Sequence, residues 1–319
     1  MTAMSIPVPG GDPDAPGFVY DEMSYFGENC AEYDIDPDGP AAAAIRSVTR
    51  VSHALADGRR LSALRWGETA PELVLVHGGA QNAHTWDTVA LALAPTPILA
   101  VDLPGHGHSD WRDDGGYDPR HSAHDIAEMI AELADGPVVL VGMSLGGLTA
   151  TAVAARHRAL VRRLVVVDVT PGVTRDKASD VHAFIEGPQT FPDFAEIFTR
   201  TVEFNPTRSH ESLRRGILHN AHRLDSGEWE WNYDRRHLAD PGDPSPISVD
   251  LWEDVAAVGA PYHLLRGALS PVVDDADEAE LRRLQPEAVV TLVEDAGHSI
   301  QGDQPIRLAA LLRDELDAG

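Results

Sequence analysis

Cysteine, lysine and long apolar runs are almost missing from this chain. A single cysteine, Cys30, excludes an internal disulfide and any metal site built from several thiolates. Lys177 is the only lysine among 319 residues and sits in a polar stretch, which sets aside Schiff-base and pyridoxal chemistry. No run of about eighteen apolar residues occurs, and Met1-Thr2-Ala3-Met4-Ser5 lacks the basic and apolar pattern of a signal peptide. These absences predict a cytoplasmic protein. Positive charge is also scarce: 25 basic residues stand against 51 acidic ones, a formal charge of -26. That balance argues against nucleic acid or an anionic membrane surface as partner, and gives solubility without identifying a substrate. The length suits one core domain carrying an insertion.

What is present is organised around Val138-Val139-Leu140-Val141-Gly142-Met143-Ser144-Leu145-Gly146-Gly147. A short buried strand runs straight into Gly-x-Ser-x-Gly, and small residues from Leu148 to Ala155 then suit a packed helix. The turn is so tight that its flanks must be Gly142 and Gly146, because a Cβ there would strike the neighbouring strand or helix. Ser144 is then held at the tip. The helix starting at Leu145 aims unpaired amides and a positive dipole end at whatever lies over the serine.

Residues 1–44 are rich in Pro, Gly, Asp and Ala, with a few aromatics, and read as a partly disordered arm; packing at the core edge or a dimer contact is the alternative. Two alternating segments, Arg50 to Ala54 and Arg60 to Trp66, are joined by the hairpin signal Asp57-Gly58 and should be edge strands. The buried strand Leu73 to Val76 ends in His77-Gly78-Gly79-Ala80, where small residues let the backbone approach a ligand and offer N–H groups. A further buried strand, Ile98 to Val101, runs into Asp102-Leu103-Pro104-Gly105-His106-Gly107-His108-Ser109. His106 and His108 resemble a metal pair, but no carboxylate cluster at ligand spacing joins them, so they are read as loop residues. Residues 119–134 place Ile126, Met129, Ile130 and Leu133 on one helical stripe. With the strand Leu164 to Asp168 the rhythm becomes strand, helix, strand, helix: an α/β fold with a mostly parallel sheet covered on both faces. Ligands to such sheets sit at the carboxyl ends of the strands, where the 77–80 loop, Ser144 and Asp168 all fall.

Four motifs, His77-Gly78, Asp102 to Ser109, Gly142 to Gly147 and Ala296-Gly297-His298, together resemble the α/β-hydrolase fold superfamily, in the family's order and over residues 45–319. The motifs are specific for the fold and not for a substrate. The resemblance implies a serine nucleophile, a histidine after the last strand and an acid, in the order Ser, acid, His. His298, in the loop after the strand Ala288 to Glu294, occupies the histidine's place. The acid is less direct. Most relatives carry it after the strand matching Tyr262 to Leu265, but Ser270 stands where an aspartate is expected, and Asp274 and Asp275 lie further on, at a helix start. Some members carry the acid one strand earlier, and Asp168, 24 residues after Ser144, is placed for that. Asp168 is therefore the preferred acid and Asp274 or Asp275 the alternative.

Residues 172–248 break the strand rhythm as an inserted, mainly helical cap would, leaving 45–171 and 249–319 as the core. Helices are expected near 191–204 and 210–223, then the alternating stretch Glu228 to Tyr233. Phe184, Phe191, Phe194, Phe198 and Phe204 fall in the insert; most should pack between cap and core, and as a group they suggest a small apolar or aromatic substrate. His219 and His222 share a helical face with no third ligand apparent. A core helix, with Ile306, Ala309, Leu312 and Leu316 as its stripe, closes the chain.

The chemistry expected is acyl transfer to water with no metal and no cofactor. Ser144 attacks an ester or lactone, His298 takes its proton, and the amides of Gly79 and Leu145 form the oxyanion hole. Asn82, Trp86, Trp111 and Met143 are the expected pocket wall. A homodimer remains open. So do two other readings: carbon–carbon bond hydrolysis of a diketone by the same triad, and a receptor-like protein whose triad is idle.

Overall fold

The computed structural model describes residues 8–235 and 251–318. Among the described residues eleven strands follow in chain order. Those of the large sheet are β1 (Thr49–Ala54), β2 (Arg60–Trp66), β3 (Leu73–Val76), β4 (Ile98–Val101), β5 (Val138–Met143), β6 (Val161–Val167), β10 (Tyr262–Gly267) and β11 (Val289–Val293). A small sheet contains β7 (Thr190–Phe191), β8 (Ala221–Arg223) and β9 (Trp229–Trp231).

The large sheet has the order β1-β2-β4-β3-β5-β6-β10-β11. Only β1–β2 and β2–β4 pair antiparallel; every pairing from β4 through β11 is parallel. The apolar runs are continuous because both faces are covered. Val74, Val76 and Leu140 belong to the core beneath the helices Pro119–Leu133 and Leu145–Arg156. Their strand neighbours Leu73, Leu75, Val139 and Val141 face the opposite core, with the helices Asp87–Leu93 and Pro305–Asp317. The expected hairpin is present, and Gly58 turns it at φ +91°.

The helix Pro119–Leu133 starts where the sequence predicts, with Asp118 capping the amide of Arg120 and Pro119 in the first turn. Ile126, Met129 and Ile130 are its buried stripe. The closing helix differs in one face residue: Leu308, Ala309 and Leu312 are buried, whereas Ile306 is 43% exposed.

Between β6 and the helix Trp252–Ala257 lies the insertion. Its helices are Ser179–Ile185, Phe194–Phe204 and His210–Asn220, and β7, β9 and β8 form a three-stranded sheet beside them. The helix expected to reach residue 223 stops at Asn220, because Ala221–Arg223 pair with β9. Phe191, Phe194, Phe198, Trp229 and Trp231 make a separate core inside this insert. The second expected boundary of the insert, at 248/249, lies outside the described residues.

The N-terminal segment corrects the expectation of a partly disordered arm. From residue 8 onward it is laid against the rest of the molecule, and it contains the helices Phe26–Glu32 and Pro40–Ser47. Its sparse apolar residues are well used: Phe26 and Cys30 are buried in the core, and the Phe26 ring meets Trp66 edge-on at 4.9 Å. Asp14 accepts from the backbone amide of Phe194 and from Trp229 Nε1, tying the arm to the insert. Among the described residues no helix is long and apolar enough to cross a membrane.

Candidate active site

Ser144 sits between β5 and the helix Leu145–Arg156 with φ +52° and ψ -122°, a strained conformation for a residue with a side chain. The glycines around it are dictated by space. A Cβ on Gly142 would lie 2.1 Å from the carbonyl oxygen of Gly146, and one on Gly146 would lie 2.3 Å from that of His77. The strand therefore turns into the helix at once. The serine is left at the tip, and the Leu145 amide heads a helix with no upstream acceptor.

His298 Nε2 lies 3.0 Å from Ser144 Oγ, and His298 Nδ1 lies 2.8 Å from Asp168 Oδ2. Asp168 follows the end of β6, fully buried, at φ +51°. The Gly267 amide donates to its Oδ1 at 2.9 Å, and the Ser270 hydroxyl donates to Oδ2. Three hydrogen bonds therefore hold a carboxylate that has no solvent contact.

Asp274 and Asp275 are employed elsewhere. Asp274 caps the helix Asp275–Leu284 in a reciprocal capping box with Asp277 and pairs with Lys177, which holds its carboxyl down at about 2. Asp275 pairs with Arg266 at the surface. Neither bonds His298.

The His77–Ala80 loop is braced by two histidines whose structural use the sequence reading missed. His77 Nε2 accepts from the Leu103 amide, so Nδ1 carries the proton and donates to the carbonyl of Gly78 at 2.7 Å. Burial, with His106 beside it, pushes His77 down to about 3 and keeps it neutral. His106 Nε2 accepts from the Ala80 amide and its Nδ1 donates to the carbonyl of Pro104. Of the two histidines that resembled a metal pair, His106 clamps one loop onto another, whereas the His108 side chain is half exposed and lies near Glu22. Asp102 completes the brace, accepting from the amides of Ala83 and His108 and from Arg50. Gly78 packs against the nucleophile strand: a Cβ there would meet Met143 Sδ at 2.5 Å and Ser144 Cβ at 3.2 Å. Gly79 has room by comparison, with Ile185 and Leu145 its nearest neighbours at 3.7 and 3.9 Å.

A cleft of about 320 Å³ opens over Ser144 and His298. Met143, one of the expected wall residues, lines it together with Gly79, and the insert contributes Phe184, Ile185 and Phe204. Leu269, Pro271 and Val272 supply apolar surface from the loop after β10. The other expected wall residues are corrected. Trp86 is wholly enclosed in the core, on the inward face of its helical turn. Trp111 is 43% exposed and does not line the cleft. Asn82 is spent on structure: its Oδ1 accepts from the His84 amide, and its Nδ2 donates to the His219 carbonyl and to Asn220.

Asn82 belongs to a second, more polar cavity of about 150 Å³, between the arm, the insert and the 80–88 segment. There His84, Asp87 and His219 come together, buried, with ligand-type atoms within 4.8 Å of one another. The partners of His219 are thus in the core rather than at His222, which lies on β8 against Asn232. His84 is paired with Asp87 and Glu22, and its ring stacks on that of His219 at 3.8 Å.

Sheet order, strained serine turn and histidine loop define the class. The chain belongs to the alpha/beta hydrolase family, whose model matches residues 73–311. Among individual proteins, it is 47% identical over 265 residues to the esterase Rv0045c of Mycobacterium tuberculosis, a match covering 81% of this chain and 86% of that protein. A crystal structure of that esterase superposes with a TM-score of 0.79 at 42% identity, over 95% of this chain and 99% of the other. The 2-(acetamidomethylene)succinate hydrolase of Mesorhizobium japonicum is 28% identical over 83% of this chain and 94% of its own.

Proposed function

We propose that this chain cleaves a carboxylic ester or lactone of a small, largely apolar molecule through an acyl-enzyme on Ser144. It is a hydrolase acting on ester bonds. The observation that carries the reading is the unbroken relay Ser144 Oγ, His298 Nε2, His298 Nδ1, Asp168 Oδ2, with steps of 3.0 and 2.8 Å.

His298 accepts the Ser144 proton as Oγ attacks the carbonyl carbon. Asp168 fixes the tautomer that presents a bare Nε2 and then stabilises the imidazolium. The amides of Leu145 and Gly79 receive the oxyanion, already oriented by a helix start and by the His77–His106 clamp. His298 returns its proton to the leaving alcohol. Water then repeats the sequence on the acyl-enzyme and releases the acid. The apolar face formed by Phe184, Phe204, Leu269 and Val272 supports an apolar acyl or alcohol portion.

The ester reading is preferred over carbon–carbon cleavage because the relative at 47% identity is called an esterase. The receptor reading is disfavoured by the strain held at Ser144, which a protein without serine chemistry has no use for. Hydrolysis of aryl and alkyl esters and lactones of graded acyl size, with Ser144→Ala alongside, is the test. Loss of turnover in the mutant is expected; rapid turnover surviving it overturns the mechanism. A fluorophosphonate probe that labels wild type and not Ser144→Ala separates an enzyme from an idle pocket.

A further inference from the structure

The second cavity and the Ser144 cleft share five lining residues: Ala80, Gln81, Phe184, Asn205 and Ser299. Arg208 lines the second cavity. Among the described residues it makes one side-chain hydrogen bond, from Nη2 to Ser212 Oγ at 2.7 Å, while its Nε has neither a partner nor contact with solvent. Its guanidinium lies against the backbone of Gly302, where a Cβ would come within 2.7 Å of Cζ.

Among the described residues no carboxylate comes within 4.0 Å of it, in a chain with 51 acidic residues. The acids that act on it through space are committed elsewhere. Asp303 accepts from the Gly297 amide at 2.8 Å, and Glu32 accepts from Arg215 and Ser209. A partly buried guanidinium whose Nε is shut off from water is costly to keep without an anion unless something that binds supplies the charge. Arg215, seven residues further on and lining the same cavity, shows the ordinary solution, since it is paired with Glu32 and Glu28.

We propose that Arg208 binds a carboxylate of the substrate, remote from the scissile carbonyl, so that the preferred esters are hemiesters of dicarboxylic acids. This rests on the serine-hydrolase reading above. The acyl chain would lie along the shared wall, its carbonyl carbon at Ser144 and its far carboxylate against the guanidinium, whose planar fork suits that group.

The test compares the p-nitrophenyl hemiester of adipic acid with the same compound capped as a methyl ester. Wild type is expected to favour the hemiester at least tenfold in kcat/KM, chiefly through KM. Arg208→Gln should abolish that preference while changing kcat/KM for the capped ester less than threefold, and Arg208→Lys should restore part of it. Equal preference in wild type and Arg208→Gln, or none in wild type, overturns the proposal. Calorimetric titration of Ser144→Ala with adipate separates the two readings. Binding lost on adding Arg208→Gln supports the subsite even where no ester turns over; ester turnover without adipate binding removes the subsite and leaves the hydrolase.

Discussion

Ser270 donates its hydroxyl proton to Asp168 Oδ2, the same oxygen that receives the proton of His298 Nδ1. The residue standing where most relatives carry an aspartate thus bonds to the aspartate that sits one strand earlier. β6 and β10 are adjacent and parallel, with Leu265 opposite Val167, so the loops that follow them converge on His298 from neighbouring positions. An acid at the end of either strand can reach the imidazole, and a hydroxyl on the other loop then serves as donor.

Asp168→Asn should lower kcat by about 10³- to 10⁴-fold, because an amide can stabilise the wrong tautomer and offers no charge to the imidazolium. Asp274→Asn should change it less than about threefold, since asparagine also caps a helix. Steady-state kinetics on one aryl ester decides between them. The reverse ranking would move the acid to the later loop.

Relocation of the acid is the sharper consequence. In Asp168→Asn/Ser270→Asp the new carboxylate lies on the loop after β10, within reach of the same ring. At least a tenfold recovery of kcat over Asp168→Asn is expected. Ser270→Asp alone should be worse than wild type, because two carboxylates would crowd one buried site. A double mutant no better than Asp168→Asn would show that the loop cannot deliver a carboxylate to Nδ1.

Gly78→Ala and Gly79→Ala should part company. The first puts a methyl 2.5 Å from Met143 Sδ and 3.2 Å from Ser144 Cβ, which pushes on the nucleophile and on the side chain beside it, and a loss of about 10²-fold in kcat is expected. The second keeps the amide and meets nothing closer than 3.7 Å, so kcat should stay within about fivefold. Equal losses would mean that the loop, and not its contact with the serine strand, governs the rate.

Much of this site is legible in the sequence because its signals are local. Gly142, Ser144 and Gly146 lie in one turn whose sterics leave little choice, and His298 follows the last strand by a few residues. Asp168 could be read from what Ser270 is not. The pocket wall was not legible, since proximity in sequence says nothing of which way a ring points: Trp86 faces the core and Trp111 the solvent, whereas Phe184 and Phe204 of the insert face the cleft. The arm misleads for a related reason. Its composition is that of a disordered segment, and its order comes from single anchors, Asp14, Glu22 and Phe26, whose partners are far away in the chain. His77 and His106 carried a readable signal, each lying beside glycines in the loop after a buried strand, but only the fold shows that the two loops are clamped to one another.

The arm also predicts a pH dependence. Glu22 accepts from Arg50 and lies 3.0 Å from His84 Nε2, while His84 Nδ1 lies 2.8 Å from Asp87. Burial alone would lower His84, but Asp87 and Glu22 outweigh it and raise it to about 9. Burial would likewise raise Glu22, yet His84 and Arg50 hold it at about 2. For His84, raised from 6.5, the contribution to stability is complete below pH 6.5 and is lost as the pH climbs through 9. For Glu22, lowered from 4.5, it is complete above pH 4.5 and is lost as the pH falls towards 2. Both are in place between pH 4.5 and 6.5, so this network should give its greatest support there. The direction of the His84 shift therefore predicts that Tm falls as the pH rises from 6.5 to 9. Thermal unfolding of wild type and Glu22→Gln across this range is the measurement. The mutant should unfold at lower temperature at pH 6 and show a shallower decline above it; parallel curves would mean that the arm is held by Phe26 and its apolar neighbours and not by these charges.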